Sequence, residues 1–216
     1  MISTNLKKRI LTSLILFITI LLIFNSNMIL IYSLIVIGVL SILEFIELTK
    51  KIFLNKVFLI LINIFFIFYI FIYTYMFFFF LNFPGLKIIL FIILMGCIAS
   101  DIGGYVFGKI LQGPKLTKIS PKKTYSGAVG SIFLTSLIMS ILFFNFIQPF
   151  NFKFILVAII TSIFCQIGDL IFSLFKRKAK LKDTGKILPG HGGILDRLDG
   201  ILFGIPIGFI SLIILE

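Results

Sequence analysis

Seven apolar runs set the rhythm of the chain. They cover residues 10–24, 28–43, 57–83, 88–99, 128–147, 154–172 and 201–215, and every Lys and Arg lies outside them. A helix needs about 20 apolar residues to cross a bilayer, and backbone inside lipid must satisfy its own hydrogen bonds. The pattern therefore predicts an all-α fold: a polytopic helical integral membrane protein with about seven transmembrane helices. The run at 57–83 would be about 40 Å long as a helix, against a hydrocarbon core of about 30 Å, so a single crossing there needs tilt or an interfacial end. The start of the chain, with Lys7, Lys8 and Arg9 before an apolar run, imitates a signal peptide. Asn25-Ser26-Asn27 offers no small-residue cleavage site, and a second run begins at once. The first two runs are accordingly read as a retained membrane hairpin.

Composition agrees. Hydrophobic residues make up 60% and charged residues 13%, against about 45–50% and about 25% in soluble domains, and the mean hydropathy is +1.21. An ordinary soluble domain is excluded. Twenty basic residues face eight acids, for a net charge of +12. If each run crosses once from a cytoplasmic N-terminus, the segments 1–9, 44–56, about 100–127 and 173–200 share one face. They hold 18 of the 20 Lys and Arg residues, with only Lys87 and Lys153 outside. Such loops are cytoplasmic by the positive-inside rule, which puts the C-terminus outside. The basic excess thus reports orientation, and nucleic acid is not an expected partner. Cys97 and Cys165 sit apart in apolar runs and read as small buried hydrophobes, neither a disulfide nor a metal site.

Polar chemistry is concentrated in one half. Residues 1–95 read as membrane scaffold and residues 96–216 as a catalytic membrane domain with two basic cytoplasmic loops, 108–127 and 173–200. Glu44, Glu47 and Glu216 read as loop or terminal residues. The other acids are Asp101, Asp169, Asp183, Asp196 and Asp199. Asp169 lies within an apolar run, where a carboxylate needs a partner, a polar cavity or a cation. A structural ion pair with a nearby lysine and a metal ligand both satisfy that need. The first loop combines Lys, Ser, Thr and Gly, a composition suited to phosphate oxygens, although it lacks the Gly-Lys-Ser/Thr ending of a phosphate-binding P-loop. A plain basic loop near anionic lipid heads explains it equally well. In the second loop His191 sits among Gly190, Gly192 and Gly193, which let backbone approach a ligand closely. Asp196 and Asp199, three apart at a helix entry, share a face. Paired hard oxygen donors of this kind suit Mg²⁺ with substrate phosphates completing its shell. Helix-start caps and local ion pairs are the simpler alternative.

The 27 residues from Ser173 to Asp199 carry more than composition. They resemble the signature of the phosphatidate cytidylyltransferases, or CDP-diacylglycerol synthases: Ser-x-x-Lys-Arg-x4-Lys-Asp-x-Gly-x2-Leu-Pro-x-His-Gly-Gly-x-x-Asp-Arg-x-Asp. Every specified position is present. Asp101-Ile-Gly-Gly-Tyr105 with Phe107-Gly-Lys109, then Ile119-Ser-Pro-Lys-Lys-Thr124 with Gly127, and Gln166-x-Gly-Asp169-Leu resemble other motifs of that family, in family order. The likeness covers roughly residues 96–203. Two departures stand out: Ser126 replaces a Glu common in the family, and the chain is shorter, chiefly in the N-terminal half, which is similar only in hydropathy.

The resemblance implies transfer of a cytidylyl group from CTP to phosphatidic acid, yielding CDP-diacylglycerol and pyrophosphate with Mg²⁺, in phospholipid biosynthesis. It implies metal ligation by Asp169 and Asp196, with Asp199 as a further ligand or support, and room for a second cation. Lys176, Arg177 and Lys182 are expected on triphosphate or lipid phosphate, Arg197 on the leaving pyrophosphate, and His191 on a phosphate oxygen, aided by neighbouring Gly192 and Gly193 amides. Ser120, Lys122, Lys123, Thr124 and Ser173 are expected to hold nucleotide or headgroup, and Asp101 and Asp183 to orient lysines or coordinate metal. A bacterial inner membrane with a cytoplasmic active site, and a homodimer, are implied by the same likeness. A CDP-alcohol phosphotransferase fits less well, because Asp199-Gly200-Ile-Leu-Phe-Gly204 fails its motif. Another CTP-dependent lipid kinase or cytidylyltransferase is a weaker alternative. An anion transporter gives no reason for the register of residues 173–199, and no inverted repeat is evident.

Overall fold

A computed structural model describes residues 26–147, 151–185, 187 and 192–215. It holds six long helices: α1 (Asn27–Ile52), α2 (Lys56–Leu81), α3 (Pro84–Ile110), α4 (Tyr125–Phe146), α5 (Lys153–Lys178) and α6 (Leu195–Leu215). All six are long and apolar enough to cross a membrane, and the chain is an integral membrane protein. The apolar run at 10–24, the first of the seven expected crossings, lies outside the described residues. The run at 57–83 forms one helix, as expected.

Three helices run well past the C-terminal ends of the apolar runs that predict them. α1 continues nine residues past Leu43, to Ile52, so Glu44 and Glu47 are helical and not in a loop. α3 likewise carries Asp101 and continues to Ile110, and α5 runs on to Lys178. Hydropathy marks where a helix leaves the apolar layer, whereas the helix ends where its backbone finds caps. Asn55, for example, accepts hydrogen bonds from the Val57 and Phe58 amides and starts α2. The basic connections therefore shrink to 111–124 and 179–194.

The chain divides into two compact units. One joins the described residues up to Asn82 with Phe175–Arg197; the other comprises Phe83–Leu174 with the chain from Leu198. In the first, Phe45 of α1 stacks on Phe66 of α2 with ring centroids 3.9 Å apart, and meets Phe175 edge-on. Buried Thr49 donates to the side-chain oxygen of Asn63, an acceptor that lipid would leave unpaired.

In the second unit small residues let helices approach closely, as is usual for packing inside membranes. A Cβ on Gly103 would strike the Gly130 carbonyl, and one on Gly130 would enter the Phe107 ring, so α3 and α4 meet nearly backbone to backbone. Ser131 donates to the Ser100 carbonyl and Thr135 to that of Gly96. Ser100 and Ser162 pair at 3.0 Å, and Gln166 donates to the Ala128 carbonyl, tying α5 to its neighbours. Gly200 and Gly204 of α6 lie against Cys165 of α5, and Gly204 also against Cys97. Both cysteines are buried free thiols.

Candidate active site

The signature loop is built from the end of α5 upward. Leu181 N–H donates to the Lys176 carbonyl and Lys180 N–H to that of Arg177. These two bonds close α5 with a left-handed residue just past the helix, the geometry usually given to glycine. Here Lys180 occupies it, with φ +56°. The chain is thereby turned back toward the start of α6.

Asp196 organises the returning strand of the loop. One carboxylate oxygen accepts from Lys176 Nζ at 2.8 Å; the other accepts from the Thr184 amide at 2.8 Å and the Gly193 amide at 3.0 Å. Both partners of the ion pair are largely shielded, with side-chain exposures of 13% and 8%. Gly192 has φ +88°, and a Cβ there would crowd Asp196 and Asp183. Both strain and space therefore require glycine at 192.

A carboxylate from outside the signature completes the arrangement. Glu44 of α1 is 3% exposed. It accepts from Thr184 Oγ1 (2.8 Å), the Ile194 amide (3.0 Å) and the Leu195 amide (2.9 Å). Thr184 thus donates its amide to Asp196 and its hydroxyl to Glu44. The Gly193 amide, expected beside a phosphate, is engaged by Asp196. Reading Glu44 as a loop residue missed it. The available signal was a carboxylate directly after an apolar run, which needs donors if its helix continues.

The exposed cations surround this frame: Arg177, Lys182 and Arg197 are all open to solvent, as is Asp183, while Ser173 is half-buried. His191 lies outside the described residues. The described loop residues from Lys176 to Arg197 belong to the first unit.

The remaining candidates belong to the second unit. Asp169 of α5 pairs with Lys123 at 2.5 Å. The Lys123 nitrogen is shielded from solvent and has no hydrogen-bond acceptor of good geometry among the described residues, so this carboxylate is its charge partner. Lys123 is thus the nearby lysine that pairs with Asp169. Lys123 is held by its loop: its amide donates to the Ser120 carbonyl, and its carbonyl accepts from Leu116 N–H. Thr124 caps α4 by accepting from the Gly127 amide, and its hydroxyl pairs with Ser126, which donates to the Gln112 carbonyl. Ser126 pins the beginning of the loop to its end. Lys122 and Asp101 are exposed. Asp199 is buried, with one oxygen accepting from the Gly200 amide.

The donor set bears on the implied metal. Among the described residues no three His, Cys, Asp or Glu side chains converge on one point. A carboxylate offers about four lone-pair positions; Asp196 uses three, one of them on an ammonium. Asp169 gives one oxygen to Lys123 and keeps the other without a partner among the described residues. Hard oxygen donors suit Mg²⁺, and Asp169 is better disposed to bind it than Asp196.

Comparison with known proteins places most of the chain in one family. Residues 52–215 match the family model described as the cytidylyltransferase family. The chain is 46% identical over 133 residues to a phosphatidate cytidylyltransferase of Staphylococcus haemolyticus, covering 60% of this chain and 50% of that protein. Proteins of the same name from Staphylococcus saprophyticus and Staphylococcus aureus are 46% identical over 133 residues with the same coverage. The chain spans about half the length of the curated relatives it matches. With the family model spanning most of the chain and every specified position of the signature in place, this chain belongs to the cytidylyltransferase family.

Proposed function

We propose that this chain carries out the phosphatidate cytidylyltransferase reaction at the cytoplasmic face of a bacterial inner membrane. A phosphate oxygen of phosphatidic acid attacks the α-phosphorus of CTP; the new P–O bond forms as the bond to the β-phosphate oxygen breaks, and pyrophosphate leaves. The observation that carries this reading is the complete signature at 173–199, with its described residues Lys176, Thr184 and Gly193 gathered on Asp196, in a chain similar to proteins of that name.

The chemistry asks mainly for charge management. The lipid phosphate is already an anion near neutral pH, so no strong base is required, and bringing it to a triphosphate means overcoming repulsion. Arg177, Lys182 and Arg197 supply exposed positive charge, with Arg197 assigned to the pyrophosphate. His191, Gly192, Ser173 and Asp183 support the same loop, while Ser120, Lys122, Lys123 and Thr124 serve nucleotide or headgroup. Lys176 is held by Asp196 and stiffens the frame. Mg²⁺, when bound, would offset triphosphate charge; Asp169 and Asp199 are the carboxylates proposed to hold it, and a second cation and a homodimer rest on family likeness alone. If each helix crosses once, the Lys- and Arg-rich connections fall on the cytoplasmic side, where CTP is available.

The decisive experiment incubates purified protein in phosphatidic acid micelles with CTP, with Mg²⁺ or excess chelator, and identifies the lipid product. CDP-diacylglycerol and pyrophosphate in equal amounts, abolished by chelation, are expected. CTP-independent anion flux without a nucleotide-linked lipid would overturn the reading.

A further inference from the structure

Glu44 stands apart from every other acid of the chain. It lies outside the matched residues 52–215, on a helix whose surroundings are aromatic and aliphatic, yet both of its oxygens are engaged with the signature loop. A carboxylate near an apolar helix is costly unless donors surround it. Two backbone amides at the start of α6 provide that compensation, at the helix end whose dipole favours an anion. Its neighbours Phe45 and Leu48 are buried, so the carboxylate is held on a stiff base.

The loop is also shaped to receive it. A Cβ on Gly193 would collide with Glu44 and Thr184, and a Cβ on Gly185 would collide with Glu44. Two signature glycines are therefore explained by a residue that the signature does not contain. Thr184 and the Ile194–Leu195 amides stand on the two sides of the stretch that includes His191. Lys182 precedes one anchor by two positions, and Arg197 comes two positions after the other. Glu44 ties these two feet together through its three hydrogen bonds.

We propose that Glu44 is a positioning residue for the cytidylyl-transfer loop: it clamps both feet of the loop through Thr184, Ile194 and Leu195, without touching substrate. The kinetic part rests on the proposed cytidylyl transfer; the clamp itself does not. Glu44→Gln keeps the size but places an amide donor where one of three donors must find an acceptor. Gly193→Ala disturbs the same contact from the loop side. Glu47→Gln, exposed and one turn along α1, is the control.

The test measures kcat and KM for CTP, thermal unfolding, and amide hydrogen exchange in detergent-solubilised wild type and the three variants. Glu44→Gln and Gly193→Ala are expected to lower kcat/KM about tenfold or more and to raise KM for CTP. At least one of the Ile194 and Leu195 amides, which sit on different oxygens of Glu44, should exchange about ten- to a hundredfold faster in Glu44→Gln, the effect of losing a bond to a charged acceptor, with exchange in α2 unchanged. Wild-type kinetics in the folded fraction of both variants, with loss of activity tracking loss of fold, would show a merely structural role and overturn the proposal. Unchanged exchange at Ile194 and Leu195 would overturn it as well. If the wild type makes no CDP-lipid, the proposed cytidylyl transfer fails, and exchange alone decides the clamp.

Discussion

Asp196→Asn separates a loop organiser from a simple metal ligand. The substitution keeps the shape of the side chain. If its oxygen stays on the Thr184 and Gly193 amides, its new NH₂ faces Lys176 Nζ, where the carboxylate oxygen stands at 2.8 Å. A charge-assisted bond becomes a donor–donor contact, and a shielded ammonium loses its counter-charge. Breaking a buried pair costs about 3–5 kcal/mol, and an exposed pair about 0–1 kcal/mol. With exposures of 13% and 8%, this pair lies near the buried limit, and about 3 kcal/mol is expected, over a hundredfold in the folded ratio. Lys176→Met leaves Asp196 with its two amides and should cost only about 2 kcal/mol. The double variant should cost no more than Asp196→Asn alone, a coupling of about 2 kcal/mol. The assay is reversible unfolding in mixed micelles, read by SDS titration for all four proteins. Costs that add to within about 0.5 kcal/mol would refute the pairing, and stabilisation by Lys176→Met would show Asp196 to be a cation site blocked by that lysine.

Other expected outcomes rest on the same geometry. Lys123→Met removes the cation that competes at Asp169, so half-maximal turnover should need less Mg²⁺ while kcat falls; an unchanged Mg²⁺ curve would detach Asp169 from the metal. Gly103→Ala drives a methyl group into the Gly130 carbonyl and should cost about 1–3 kcal/mol by forcing α3 from α4, seen as a lower SDS midpoint. Lys180→Gly relieves a left-handed residue at the end of α5 and should raise that midpoint by the equivalent of about 0.5–1 kcal/mol, the strain removed less the entropy that glycine adds to the unfolded chain.

Local order along the chain settled a great deal. Apolar runs long enough to span lipid require helices, because no other single segment inside the hydrocarbon satisfies its own backbone. The spacing from Ser173 to Asp199 made the family legible, since residue types at fixed separations survive without coordinates. Helix ends were less legible: α1 and α3 run past their apolar stretches because capping, not hydropathy, stops them. Two options for Asp169 were readable, and tertiary structure identified the lysine beside it as Lys123. The role of Glu44 could not be read at all. Its partners lie 140, 150 and 151 positions away, and a lone carboxylate has no periodicity to announce them. Sequence by itself determined the membrane helices and the family signature. Tertiary structure decided which carboxylates hold the loop, because hydrogen-bond partners are chosen by proximity in space, and distance along the chain says nothing about it.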